Sequence, residues 1–261
     1  MAFWLPSYRA FKTFVGELTA ASAAVETAVR HTAQTLKDAT GSDPWGDLAK
    51  TVGITLSGME SSRAQLAAAR LELVGTYAGF DAFIRELRAD GPALRCQPWN
   101  HSKGDTPVEE VRRNLPSGAL VLGTDECAFD YYRVCRNAIV HPSDENSGTS
   151  NDYFREHHAD LADVRDRWQS VGHGKAPGSP MDLSFADVKL FARVALHVAE
   201  QISAAFDPGD DVLLALVPKD SWKHLAHDCE RRINAATGRL QMQYGLDADR
   251  ARSIARRALA D

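Results

Sequence analysis

From Ser184 to Phe206 the apolar residues Phe185, Val188, Phe191, Ala195, Val198, Ile202 and Phe206 recur at intervals of three and four. That spacing admits one regular structure. On a helix these residues form a single stripe, whereas the period of two in a strand scatters them over both faces. Related stripes run through Phe11, Val15, Leu18, Val25, Val29 and Leu36, and through Leu66, Leu73, Val74, Tyr77, Phe80, Ile84 and Leu87. A chain dominated by such stripes buries them against one another, and the fold class expected is all-α.

The punctuation agrees with this reading. Long helices are expected over residues 8–40, 60–89, 125–140 and 184–206. They are closed by Gly41-Ser42-Asp43-Pro44, Asp90-Gly91-Pro92, Pro142 and Asp207-Pro208-Gly209. Thr106 and Pro107 read as the cap and first position of a short helix over 108–114, and Ser184 with Asp187 resembles a capping box. Two shorter helices are expected over 221–236 and 247–260. Val212 to Val217 reads as a lone strand, which makes no sheet. Ser143 to Asp152, rich in Ser, Asn, Gly and acids, reads as an exposed loop, and Gly172 to Pro180 as another. The expected organisation is a helical domain over 1–207, with its core at about 60–206 and the helix 8–40 packing on it. A helical C-terminal extension follows over 208–261.

Composition excludes some functions. No apolar run approaches the roughly 18 residues of a membrane span, and the N-terminus lacks a basic stretch followed by an apolar one. Cys96, Cys127, Cys135 and Cys229 form no C-x-x-C pair. Cys127 and Cys135 lie too far apart along one helix to bridge, so reduced thiols and a cytoplasmic location are expected. A net charge of −5 argues against a protein that coats nucleic acid indiscriminately, while leaving room for a local basic site. The C-terminal arginines Arg231, Arg232, Arg239, Arg250, Arg252, Arg256 and Arg257 read first as a solvated helical face and second as a nucleic-acid surface.

The segment that carries chemistry is Tyr131-Tyr132-Arg133-Val134-Cys135-Arg136-Asn137-Ala138-Ile139-Val140-His141-Pro142. In an uninterrupted helix, Arg136 and His141 would point about 140° apart. Pro142 disfavours the helical conformation at the residue before it, which releases His141 from the register. A helix C-terminus also favours an imidazolium. An arginine and a histidine so placed suit phosphodiester cleavage. The imidazole moves protons, and the fork-shaped guanidinium steadies a five-coordinate phosphate.

The run Arg136-Asn137-Ala138-Ile139-Val140-His141 resembles the signature of the HEPN superfamily, an Arg, a polar residue and a His after a short spacer at a helix end. Leu71 to Ile84 resembles the family's earlier long helix, which often carries an acid facing the site. Here that acid would be Asp81, with Glu72 the other candidate. The resemblance covers about 60–206. It implies a helical bundle that forms a homodimer with a composite site, and RNA cleavage without metal or cofactor. It also implies a toxin or phage-defence role under an antitoxin or sensor protein. Arg136, His141, Asn137 and Asp81 carry over as catalytic candidates, with Tyr132 and Arg133 as RNA contacts.

The alternative from another class is a non-catalytic helical dimer that binds a protein partner or a nucleotide. A third reading is a scaffold whose basic C-terminal helix contacts nucleic acid. His157 and His158, being adjacent, point about 100° apart on a helix and are poorly placed as joint metal ligands with Asp160 or Asp163. His224 and His227, three apart, read as a solvated face.

Overall fold

The computed structural model describes residues 3–172, 174–225 and 227–259, and all its regular elements are helical. In chain order they are α1 (Pro6–Thr35), α2 (Pro44–Thr51), α3 (Ser61–Arg95), α4 (Pro107–Arg113), α5 (Thr124–Val140), α6 (Asp144–Glu156), α7 (His158–Arg167), α8 (Gln169–Gly172), α9 (Phe185–Ala205), α10 (Asp210–Ala215), a 3-10 segment Lys219–Leu225, α11 (Cys229–Tyr244) and α12 (Ala248–Leu259). The all-α expectation holds, and none of the described helices is long and apolar enough to cross a membrane. Within the three expected segments that touch undescribed positions, 172–180, 221–236 and 247–260, His173, Ala226 and Ala260 lie outside the described residues.

The chain divides into two compact units that share its three longest helices. The first comprises Met1–Lys12, Phe80–Leu122 and Val198–Asp261, so residues 208–261 build it together with the start of α1 and the second half of α3. Its core holds Leu5, Phe11, Phe80, Phe83, Ile84, Leu87, Ile202, Phe206, Ile254 and Ala258, all buried. The amphipathic helix α12 lays Ala251, Ile254, Ala255 and Ala258 against α11 and α10 and turns its arginines outward.

In this unit α3 runs six residues past the expected end at residue 89, through Gly91 and Pro92. Tertiary packing overrides the local breaker. A Cβ at Gly91 would lie 2.7 Å from the ring of Trp99, so only glycine lets that ring close on the helix. Trp99 in turn stacks on Phe206 at 6.0 Å, and Leu94 beyond the proline is buried. Val212 to Val217, expected as a strand, is largely helical, because Gly209 opens α10 with two acids in its first turn and Leu213 enters the core. The helix expected over 221–236 is a 3-10 segment followed by α11, which starts afresh at the Asp228 cap.

The second unit comprises Thr13–Gly79 and Gly123–His197. Leu73, Tyr77, Phe129, Tyr131, Tyr132, Val188, Phe191 and Ala195 are its centre. Gly75 marks where α3 meets α1, since a Cβ there would approach Leu18 Cδ2 to 3.1 Å. The polar stretch 143–152 is not a loop but most of α6. Ser143 accepts a hydrogen bond from the Asn146 N–H as N-cap, Asp144 and Glu145 favour the first turn, and Tyr153 and Phe154 anchor the helix on Tyr131 with ring separations of 6.4 and 5.5 Å. Composition hid this helix because only its last turn carries the apolar contacts.

The buried Asp187 ties this unit together. Its carboxylate accepts from Gly178 N at 2.7 Å, Ser184 N and Oγ at 2.9 Å and Tyr132 Oη at 3.1 Å. The expected Ser184–Asp187 pairing is present, but the serine hydroxyl donates to the aspartate instead of capping the helix. Burial pushes the Asp187 carboxyl above its usual range, and the four donors pull part of the way back.

Candidate functional site

Helix α5 buries Ala128, Phe129, Tyr131, Tyr132, Val134 and Cys135. These positions leave Arg136 and Asn137 at the border of the buried face, both partly exposed. The Arg136 guanidinium lies over the Tyr77 ring, 5.3 Å from its centroid, and donates through Nη1 to Asn137 Oδ1 at 3.1 Å. Its Nε is buried with no hydrogen-bond partner, and among the described residues no carboxylate stands at ion-pair distance from it.

His141 closes the helix as C-cap with φ −123° and ψ 70°, out of helical register as Pro142 demands. Its N–H still donates to Asn137 O at 2.8 Å, and its carbonyl accepts from Asn146 Nδ2 at 2.8 Å. The link from α5 to α6 is therefore three residues long and pinned at both ends, while the His141 side chain is exposed. Arg136 and His141 sit on one rigid helix end, five residues apart, with an exposed imidazole and a guanidinium that no acid neutralises.

The remaining sequence candidates fall elsewhere. Tyr132 is fully buried with its hydroxyl on Asp187 and has no face to offer a base, so it is a core residue and not an RNA-stacking platform. Arg133 pairs with Asp130 at 2.7 Å. Asp81 belongs to the first unit, where its charge helps hold the Arg88 guanidinium protonated. Glu72 lies in the second unit, pushed above the usual carboxylate range by burial and by the neighbouring Glu26.

Four of the seven C-terminal arginines, those of α12, are engaged with acids. Arg250 binds Asp207 with both terminal nitrogens, at 2.6 and 2.8 Å, and Asp210 through Nε at 2.8 Å. Arg252 and Arg256 meet Glu230, and Arg257 meets Asp211. This helix is a paired face, which leaves less free positive charge for a nucleic-acid backbone than its composition implies.

Two groupings in the second unit had no local signal in the sequence. One is a cavity of about 760 Å³ with Arg30, Lys175 and Lys189, and the acids Glu26 and Asp182, in its wall beside Leu66, Met181 and Phe185. Lys189 is pushed below the usual amine range by burial and by the nearby Arg30. Neither Arg136 nor His141 lines this cavity. The other brings donor atoms of Cys127, His157 and Asp160 within 4.8 Å of one another. Arg30 and Lys189 are 159 positions apart, and Cys127 and His157 are 30 apart, so only the folded chain unites them.

Set against models of known families, curated proteins and solved structures, the chain matches none of them. What the fold defines is a class, an all-helical protein of two compact units.

Proposed function

We propose that this chain is a metal-independent endoribonuclease of the HEPN type, acting at the C-terminal end of α5. The observation that carries the reading is the state of Arg136. The guanidinium lies over the Tyr77 ring beside Asn137 with no carboxylate at ion-pair distance among the described residues, five residues before a histidine that leaves the helical register. Such a group is ready for an anion that arrives from outside.

In this mechanism the ribose 2′-hydroxyl attacks the adjacent phosphorus, giving a 2′,3′-cyclic phosphate and a 5′-hydroxyl end. His141 takes the proton from the attacking hydroxyl or gives one to the leaving oxygen, and Arg136 stabilises the charge that builds on the phosphorane oxygens. Asn137, bonded to Arg136, fixes the guanidinium. Dependence on the 2′-hydroxyl spares DNA. The biological setting proposed is a cytoplasmic toxin or phage-defence ribonuclease, working as a homodimer with a composite site and held in check by an antitoxin or sensor protein. Incubating the protein with matched RNA and DNA strands in the presence of a chelator tests the chemistry. Cleavage of RNA alone supports it, and cleavage of both strands or none overturns it.

One observation favours a second reading. The cavity of the second unit holds Lys175 and Lys189 beside an apolar wall, with Arg30 paired to Glu26 at 2.6 Å and Asp182 also in the lining, which suits a nucleotide with its phosphates on the two lysines. A non-catalytic nucleotide-binding protein would use that cavity, and its ligand affinity would be indifferent to His141.

A further inference from the structure

We propose that Cys127, His157 and Asp160 form a binding site for a divalent transition metal of the zinc class. The site clips the middle of α5 to the junction between α6 and α7, and goes beyond the ribonuclease reading without depending on it.

The sequence places these residues apart and makes His157 look like one of an adjacent histidine pair on a single helix. The fold changes that. His157 ends α6 and precedes α7, with φ −103° and ψ 18°. The helical run is thus broken between the two histidines. His158 points to solvent, while His157 shares a side with Asp160, three residues on, its Nδ1 3.8 Å from Asp160 Oδ2. The imidazole is held in place by the Tyr153 ring, whose centroid is 4.2 Å from its own, and Tyr153 Oη donates to the Cys127 carbonyl at 3.2 Å. One tyrosine thus fixes both the histidine and the stretch of α5 that bears the cysteine.

The donor set is chemically selective. Zinc takes a thiolate, an imidazole and a carboxylate together, whereas a hard cation such as magnesium favours only the carboxylate of the three. In a tetrahedral zinc site, bonds of about 2.0–2.3 Å put donor atoms roughly 3.3–3.7 Å apart. The three donors already lie within 4.8 Å, so closure needs a movement of about 1 Å, within reach of the exposed Asp160 side chain. A fourth position remains for water, as in zinc sites with three protein ligands.

The electrostatics agree. Burial pushes the Cys127 thiol above its usual range, with a hydrogen bond from Tyr153 acting against it and the charges of Asp160 and Asp130 adding to it. A dication would reverse that balance, with the thiol releasing its proton as the metal–sulfur bond forms. No redox partner is needed, because zinc stays divalent. Cys127 and Arg136 are nine residues apart, about 13 Å along α5, so the metal takes no part in the cleavage step proposed for Arg136 and His141.

Titration of the reduced full-length protein with Co²⁺ tests the proposal without any assay of activity. The expected result is saturation at one equivalent with a near-ultraviolet thiolate-to-cobalt charge-transfer band, discharged by Zn²⁺. The band persists in the Cys96→Ser/Cys229→Ser double variant, vanishes in Cys127→Ser, and in Asp160→Asn needs at least about tenfold more metal. Asp160 is exposed, so its variant keeps the fold, and circular dichroism checks both. No band in the wild type, or a band that survives Cys127→Ser, overturns the proposal.

Discussion

Two arginines near helix ends, Arg136 on α5 and Arg250 on α12, were built for different purposes. Arg250 spends its whole fork on Asp207 and Asp210 and is 12% exposed. Arg136 spends one nitrogen on the neighbouring Asn137, rests on Tyr77 and keeps its Nε buried and unpartnered. The first arrangement stabilises, since each charge removed from water is answered by its opposite. The second gains little for the fold and leaves a cation uncompensated. The arginines of α12 are held by acids of the fold, whereas Arg136 has no acid at ion-pair distance among the described residues and, on the function proposed, is the group that meets the substrate.

The largest expected effect separates them by activity. Arg136→Ala or His141→Ala lowers RNA cleavage by about 100-fold or more, the loss associated with removing a charge stabiliser or a general acid–base. Arg250→Ala, measured in the same assay at a temperature where it stays folded, leaves cleavage within about threefold. Equal losses in all three would erase the distinction.

Stability should rank them in the opposite order. Arg250→Ala leaves two partly buried aspartates without a cation and costs about 2 kcal/mol in a denaturant titration, after allowance for their exposure. Arg136→Ala loses only the contact with Tyr77 and the Asn137 bond, about 0.5–1 kcal/mol. On the outer face of α12, Arg257→Ala changes stability by less than about 0.5 kcal/mol.

Acid sharpens the comparison through the carboxylates. At Asp207 burial raises the pKa, but the bonds from Arg250 and Gly209 outweigh it and hold the group below its usual range. Glu110, buried in the same unit, is likewise held low by Arg88 and Trp99 against the effect of burial. Their contribution is complete above the ordinary carboxylate pKa of about 4 and is lost as pH falls through their lowered folded-state values. Asp187 in the second unit has only neutral donors and a raised pKa, so its contribution is complete below about pH 4 and declines as pH rises through that raised value. Hydrogen exchange followed from pH 6 down to 3 should therefore loosen the first unit around Asp207 and Glu110 while the amides around Asp187 keep their protection. Loss of protection around Asp187 first would contradict these assignments.

Much of the fold was legible because helical stripes are local. The stripe from Phe185 to Phe206 and the Thr106–Pro107 signal translate almost residue for residue into α9 and α4. What was not legible depends on distant partners. Gly91 and Pro92 stop an isolated helix, yet Trp99 and Phe206 carry α3 through them; the polar α6 needs Tyr131 to hold its last turn. The candidate site divides in the same way. The release of His141 by Pro142 is a covalent-geometry effect and could be read directly, whereas the burial of Tyr132 follows from Asp187, 55 residues away. The Cys127–His157–Asp160 grouping was hidden by treating His157 and His158 as members of one helix.

The measurement that bears most directly on the account is incubation of purified wild-type and His141→Ala protein with total RNA, with EDTA present throughout. The account predicts cleavage by the wild type alone, leaving 2′,3′-cyclic phosphate ends. Cleavage that persists in His141→Ala, or that chelation abolishes in the wild type, would contradict it.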